Sequence, residues 1–267
     1  MLIISDNLNV SRRRVLTAVE ERDGASIRQL ALEIAAAGAD VIDVNIGNIT
    51  AHPEALLPWL VDEIQAVADV QLSLDAHTAE AIIAGAERAA RKPILNAYYV
   101  QSATPGDVLA KLVPYAVEHG LEIILPLLEG GEPPLDPTER AARADDLIRR
   151  VTDAGLSQDH IYLDPVVYHL GGGDAQAHAA AVLETLRLLP LMYEPPVKTV
   201  VGANYLSLGS PAGLRSPLSR VFMAMAAANG LDAVMVDVMD REVVRDVRLI
   251  RALRNESLYS VSDAELK

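Results

Sequence analysis

The run Ile94-Leu-Asn-Ala-Tyr-Tyr99 decides the fold once it is set beside Leu72-Ser-Leu-Asp75, Ile161-Tyr-Leu-Asp-Pro165 and Thr199-Val-Val-Gly-Ala-Asn204. Each begins as a short, mostly apolar run rich in β-branched residues or Leu, stops abruptly at Asp or Asn, and is followed by a helical pattern. A strand buried on both faces reads this way when its last residue emerges into a site. The polar ends are therefore expected to converge.

Outward from these four runs the same unit recurs. Strand patterns at 2–5, 39–44, 70–75, 93–96, 121–127, 160–163, 198–201 and 232–236 alternate with helical patterns at 26–37, 53–68, 78–91, 104–119, 137–154, 175–189, 217–229 and 241–254. Ser26 and Pro53 stand where helices start, and Gly38, Gly120, Gly155 and Gly230 where they stop. Glu129-Gly-Gly-Glu-Pro-Pro134, Gly171-Gly-Gly173 and the stretch 202–216 read as long loops. Eight alternations in 267 residues count out a single (β/α)8 TIM barrel, one domain over 1–267. A doubly wound open sheet also alternates strand and helix. It would need a Gly-x-Gly-x-x-Gly turn after strand one, where Ser5-Asp-Asn-Leu-Asn9 has no glycine.

Composition bounds the function. Ala, Val, Leu and Ile dominate an apolar half of the chain, as packed helices and parallel strands require. A net charge of -14 argues against nucleic acid or an anionic membrane as partner, both of which select clustered Lys and Arg. With no cysteine there is no disulfide, thiolate metal site or cysteine nucleophile, which suits a cytoplasmic protein. The start, Met-Leu-Ile-Ile-Ser-Asp, enters a strand pattern directly, so neither a signal peptide nor a membrane span is expected.

In a barrel the strand C-termini share one mouth. The residues expected there are Asp6, Asn9, Asp43, Asn45, Asp75, His77, Asn96, Glu129, Asp164, Asn204, Arg215 and Asp237. Basic groups are few, so a phosphorylated ligand is disfavoured, although Arg215 with Gly209 or Gly213 could serve one. His77 and His169 follow strand ends but form no paired motif, so no metal site is expected. His52, His119, His160 and His178 read as solvated. Any one strand-end Asp reads as a helix cap. Several of them, with Asn between, suit a ligand rich in N–H donors and ring nitrogens, such as a pterin.

At these residues the chain resembles the pterin-binding methyltransferases of the dihydropteroate synthase-like barrel group, most closely the methyltetrahydrofolate:corrinoid/iron-sulfur protein methyltransferases. The resemblance runs through Asp43-Val-Asn-Ile-Gly47, Leu74-Asp75, Ile94-Leu-Asn96, Tyr162-Leu-Asp-Pro165, Lys198-Thr-Val-Val-Gly202 and Gly230-Leu-Asp-Ala233. It implies a homodimeric barrel that binds methyltetrahydrofolate and passes its N5-methyl group to, or takes it from, the cobalt of a corrinoid (cobalamin-type) on a partner protein. It puts Asp75, Asn96 and Asp164 on the pterin ring and Asp43 and Asn45 on the second-strand site motif; Asn9, Gly202 and Arg215 are expected in the same binding set, and Asn204, Tyr205 and Asp164 in catalysis, with a Tyr hydroxyl as a candidate donor to N5. A pterin-binding subunit without catalysis, or a member with another methyl donor, is the alternative. Dihydropteroate synthase itself carries an Arg-x-His near the last strand, where this chain reads Val236-Asp-Val-Met-Asp240.

The chain departs from the resemblance in several places. The first turn reads Ser5-Asp-Asn-Leu-Asn9 where Gly-Glu-Arg-Ile-Asn is usual, and Ala76-His77 and Ala97-Tyr98-Tyr99 replace small polar residues. In Gly202-Ala-Asn-Tyr-Leu-Ser207, ungapped, Tyr205 falls on the Asn that reaches N5, with Asn204 one residue early. On a strand such an offset turns a side chain to the other face. Tyr98, Tyr99, Tyr168 and Tyr205, four of eight tyrosines, are thus expected around one mouth.

Overall fold

The strands are short, and each carries apolar residues on both faces. In the computed structural model, which describes residues 1–128, 134–172 and 174–264 (backbone alone at 263 and 264), they are eight. They are β1 Leu2–Asn9, β2 Val41–Asn45, β3 Gln71–Asp75, β4 Ile94–Asn96, β5 Glu122–Pro126, β6 Ile161–Asp164, β7 Lys198–Gly202 and β8 Ala233–Val236. All neighbours pair in parallel, and β8 pairs with β1, closing the barrel in sequence order. The Glu129 expected at the mouth, with most of its loop, lies outside the described residues.

Alternation divides the core in two. Ile42, Val44, Leu72, Leu74, Leu95, Ile123, Leu125, Leu163, Val201 and Val234 point outward under the helices. Ile4, Val41, Ile94, Ile124, Tyr162, Val200, Ala233 and Met235 fill the barrel interior. Stepping two residues up from that inner layer, toward the C-terminal end, brings Asp6 after Ile4, Asp43 after Val41, Asn96 after Ile94, Asp164 after Tyr162 and Gly202 after Val200. The inside is thus apolar below and polar above.

Helices shield the outer layer. Gly24–Ala37 buries Ile27, Leu30, Ala31 and Ile34, a stripe at helical spacing. Its cap is Asp23, which accepts from Ser26 N–H at 3.1 Å, so the helix starts before the Ser26 expected to cap it. Thr78, Asp136 and Asp240 cap the helices Ala79–Arg88, Pro137–Asp153 and Arg241–Leu253. Capping therefore does not occupy Asp43, Asp75 or Asp164.

Two segments differ from their expected form. β1 runs on to Asn9 because its register slips by one residue between Ser5 and Leu8. Without that bulge Asn9 would face outward; with it, Leu8 packs in the outer core and Asn9 lies level with Asn45. Buried Asn7 holds the bulge, donating to Asp237 Oδ1 at 2.6 Å and accepting from Ser5 Oγ at 2.8 Å and Val238 N–H at 2.9 Å. After β7 the chain forms a helical turn, Ala203–Leu206, and then the helix Ala212–Ala228, which contains Pro217. Pro211 precedes that helix, so Pro217 does not open it. Among the described residues no helix is long and apolar enough to cross a membrane.

Candidate functional site

Strand register sets the floor of the site. Asn9 is level with Asn45, Asn45 with Asp75, and Asp75 with Asn96, while Asp43 stands beside Ser73 one inward step lower. With Asp164, Gly202, Asp6, Tyr98 and Tyr205, these strand-end residues line one chamber of about 30 Å³. That is room for a water or so.

Two hydrogen-bond chains orient the side chains. Asn45 donates from Nδ2 to Asp75 Oδ2 at 2.7 Å, and its Oδ1 accepts from Gly47 N–H at 3.0 Å. Asn96 donates to Asp43 Oδ1 at 3.2 Å, and its Oδ1 accepts from Tyr98 N–H at 3.1 Å. Each amide is fixed at both ends, so neither can flip without losing two bonds. Asp43 Oδ1 also accepts from Ser73 Oγ at 2.6 Å, and Asp164 Oδ1 accepts from Val166 N–H at 2.8 Å. Asp75 Oδ1 is buried with no partner.

Burial dominates the charge state. It pushes the Asp43 carboxyl up to about 7, against the bonds from Ser73 and Asn96 and with help from Asp6. Burial, then the charge of Asp43, raises Asp75 well above the usual range. Asp164 is pushed up to about 7 by burial, held back by Val166 N–H and the Arg140 charge. Near neutral pH the chamber therefore retains protons that exposed carboxylates have lost.

Beside it, in the β1, β7 and β8 sector, lies an outer cavity of about 440 Å³, lined by Asp6, Asn9, Arg12, Asn204, Tyr205, Arg215 and Asp237 among others. Arg12 bridges Asp6 at 2.8 Å and Asp237 at 3.0 Å. Asn204 donates to Asp6 Oδ2 at 3.1 Å. Arg215 sits at the rim, its Nε on Ser210 O at 2.9 Å. Because β7 ends at Gly202, Asn204 and Tyr205 are neighbours on a helical turn, about 100° apart, and strand alternation does not govern them. Asn204 turns to the outer cavity, whereas Tyr205 lines both. The Tyr205 ring lies on Gly202 so closely that a Cβ there would come within 2.5 Å of it. It forms the wall between the two spaces.

The other tyrosines stand close by: Tyr98 lies within electrostatic reach of Tyr99 and Tyr168, and Tyr205 within reach of Tyr99. Tyr98 lines the chamber, and its ring meets Tyr99 edge-on at 5.4 Å. Tyr99 stacks on His77 at 4.3 Å. Tyr168 meets the ring of His178, 4.7 Å between centroids. His178, expected in solvent, is buried, its Nδ1 3.0 Å from Arg140 Nη2. Helical spacing puts it on one face with Ala175 and Val182. Arg140, fully buried, was missed as well, although it shares a helix face with Ala144 and Leu147. Among the described residues no three His, Asp or Glu side chains are placed to hold a metal ion.

The sequence profile of the family described as pterin binding enzyme matches residues 6–237, from within β1 to just past β8. The chain belongs to the pterin-binding enzymes. Among similar proteins is a methylcorrinoid:tetrahydrofolate methyltransferase of Eubacterium limosum, 25% identical over 91% of this chain and 88% of its own length. Methionine synthases of Mycobacterium leprae and Mycobacterium tuberculosis are 20% and 21% identical over 88% and 85% of this chain. The chain spans only about a fifth of either, 20% and 19%. A solved Yersinia pestis DHPS with a pterine-sulfa conjugate shares the fold, with a TM-score of 0.66, 22% identity, and coverage of 96% of this chain and 94% of that one. In this pterin-binding enzyme the matched span holds every candidate site residue from Asn9 to Arg215.

Proposed function

We propose that this pterin-binding enzyme is a methyltransferase, with the whole chain as its pterin-binding domain. It moves a methyl group between N5 of a methyltetrahydrofolate-type pterin and the cobalt of a corrinoid on a partner protein. The observation that carries the reading is Asp75 Oδ1, a buried oxygen without a hydrogen-bond partner at the floor of the chamber. A buried acceptor without a donor costs about 1–3 kcal/mol, more when charged, and a ring N–H removes that cost. Asp164 supplies a second acceptor across the chamber, and the fixed amides of Asn45 and Asn96 frame the ring between them. The name of the Eubacterium limosum relative, a methylcorrinoid:tetrahydrofolate methyltransferase, supports methyl transfer between a corrinoid and folate.

The chemistry is displacement at a methyl carbon, in which the pterin leaves poorly unless N5 is protonated or accepts a hydrogen bond. Two features serve that need. Asp43, pushed up to about 7 by burial, still holds protons near neutral pH, and the bond from Asn96 keeps its carboxyl in place. The Tyr205 hydroxyl, pushed up by burial, stays protonated and so keeps a proton to donate. A bicyclic ring exceeds the 30 Å³ chamber, so Tyr205 swings aside on entry and joins it to the outer cavity. Binding then aims the methyl at the mouth, where positioning rather than a protein nucleophile sets the rate.

The test is a methyl-transfer assay with methyltetrahydrofolate and reduced cobalamin, followed by the cobalamin absorbance. Turnover that Asp75→Asn abolishes is expected. Tight pterin binding without turnover, on free cobalamin or on any corrinoid protein, would instead make the chain a binding subunit.

A further inference from the structure

Arg140 is a costly residue to bury, and the mechanism above does not use it. It lies on the helix Pro137–Asp153 with no exposed surface, and among the described residues no carboxylate forms an ion pair with it. A buried guanidinium without a direct counter-ion persists only where its donors are all engaged. Its Nε donates to Pro134 O at 2.9 Å. Its Nη1 donates to Pro165 O at close range and to Val166 O at 3.5 Å. Its Nη2 meets His178 Nδ1 at 3.0 Å. Since an arginine cannot accept, that imidazole nitrogen is the acceptor, which fixes the His178 tautomer with its proton on Nε2.

Two of the gripped carbonyls directly follow Asp164. Val166 has φ +62, a left-handed backbone that a β-branched residue adopts only under strain. In that conformation its N–H points back and donates to Asp164 Oδ1 at 2.8 Å. The guanidinium, two carbonyls, one strained peptide and the Asp164 carboxylate thus form a continuous hydrogen-bonded unit. We propose that Arg140 is a positioning residue that clamps the left-handed turn after β6 and so aims the Asp164 carboxylate into the chamber. The inference rests on the pterin reading for the ligand that Asp164 receives, but not for the clamp itself. The Arg140 charge also acts on Asp164, opposing the effect of burial there.

The test uses the full chain as Arg140→Gln, Arg140→Lys, Val166→Gly and the Arg140→Gln/Val166→Gly double variant. Urea unfolding checks that each folds. The Asp164 carboxyl titration, read by carbon NMR and assigned with Asp164→Asn, reports the clamp without any ligand. Calorimetry with tetrahydrofolate reports the site. Arg140→Gln is expected to move the Asp164 titration upward and weaken tetrahydrofolate by about tenfold or more. Arg140→Lys, which keeps the charge and loses the fork, falls between. Glycine adopts positive φ without strain, so Val166→Gly recovers much of the lost affinity in the double variant. A folded Arg140→Gln with unchanged titration and affinity overturns the proposal, as do losses that Val166→Gly leaves untouched. If Arg140→Gln does not fold, Arg140→Lys decides, and a titration and affinity like wild type count against the clamp. Wild-type protein that ignores tetrahydrofolate would overturn the pterin reading, while the Asp164 titration still decides the role of Arg140.

Discussion

Asp75 has two oxygens in the chamber and one donor, Asn45, to share between them. With Asp43 and Asp164 it makes folding prefer protons. Unfolded, each carboxyl titrates near about 3.9; folded, Asp43 and Asp164 hold their protons up to about 7, and Asp75 also lies well above the ordinary value. Between those limits the native state binds more protons than the unfolded chain, so stability falls as pH rises from about 4 to 7. The free protein is therefore expected to melt higher at pH 5.5 than at pH 8, and pterin binding near pH 6.5 to release protons, read by calorimetry in two buffers of different ionisation enthalpy. A melting temperature that climbs over that range would contradict the buried, proton-retaining carboxyls. Tyr205→Phe is expected to lower the methyl-transfer rate at least tenfold while changing pterin affinity little, since it removes one donor and keeps the ring. Equal loss of both, or of neither, would remove Tyr205 from catalysis. Asp75, Asn96 and Asp164 were legible in the sequence because each ends an apolar run. The division of labour between Asn204 and Tyr205 was not, because it depends on where β7 gives way to a helical turn.

Elements were read from periodicity, and they fail where periodicity is interrupted. The polar run Ser5-Asp-Asn breaks the alternation of β1, and only pairing with β2 shows that the strand continues through a bulge. Pro217 looked like a helix start, yet the helix begins at Ala212 and carries it inside. The glycine in Ala79–Arg88 has a packing reason that no pattern reveals. A Cβ at Gly85 would come within 2.9 Å of Leu57 Cγ and 3.3 Å of Leu74 Cδ1, so that helix, its neighbour Pro53–Gln65 and β3 meet closely at this point. Gly85→Ala is expected to destabilise the protein by about 1–3 kcal/mol through overpacking, measured by urea unfolding. A neutral or stabilising result would mean that the two helices are free to separate.

For the whole molecule, counting eight strand–helix units was enough to name the barrel, because parallel strands buried on both faces leave few other ways to close. Counting could not give the volume of the mouth. That volume depends on how Tyr98 and Tyr205 pack, and on the Gly202 backbone that lets the second ring lie flat. Nor could it reveal that the support for Asp164 comes from Arg140, on a helix outside the barrel. The central claim is that the converging carboxyls and amides form a pterin site, and calorimetric titration of wild type and Asp75→Asn with methyltetrahydrofolate tests it most directly. Micromolar binding, on the order of -8 kcal/mol, that collapses in the variant is the expected result. No binding by the wild type, or equal binding by both proteins, would contradict it.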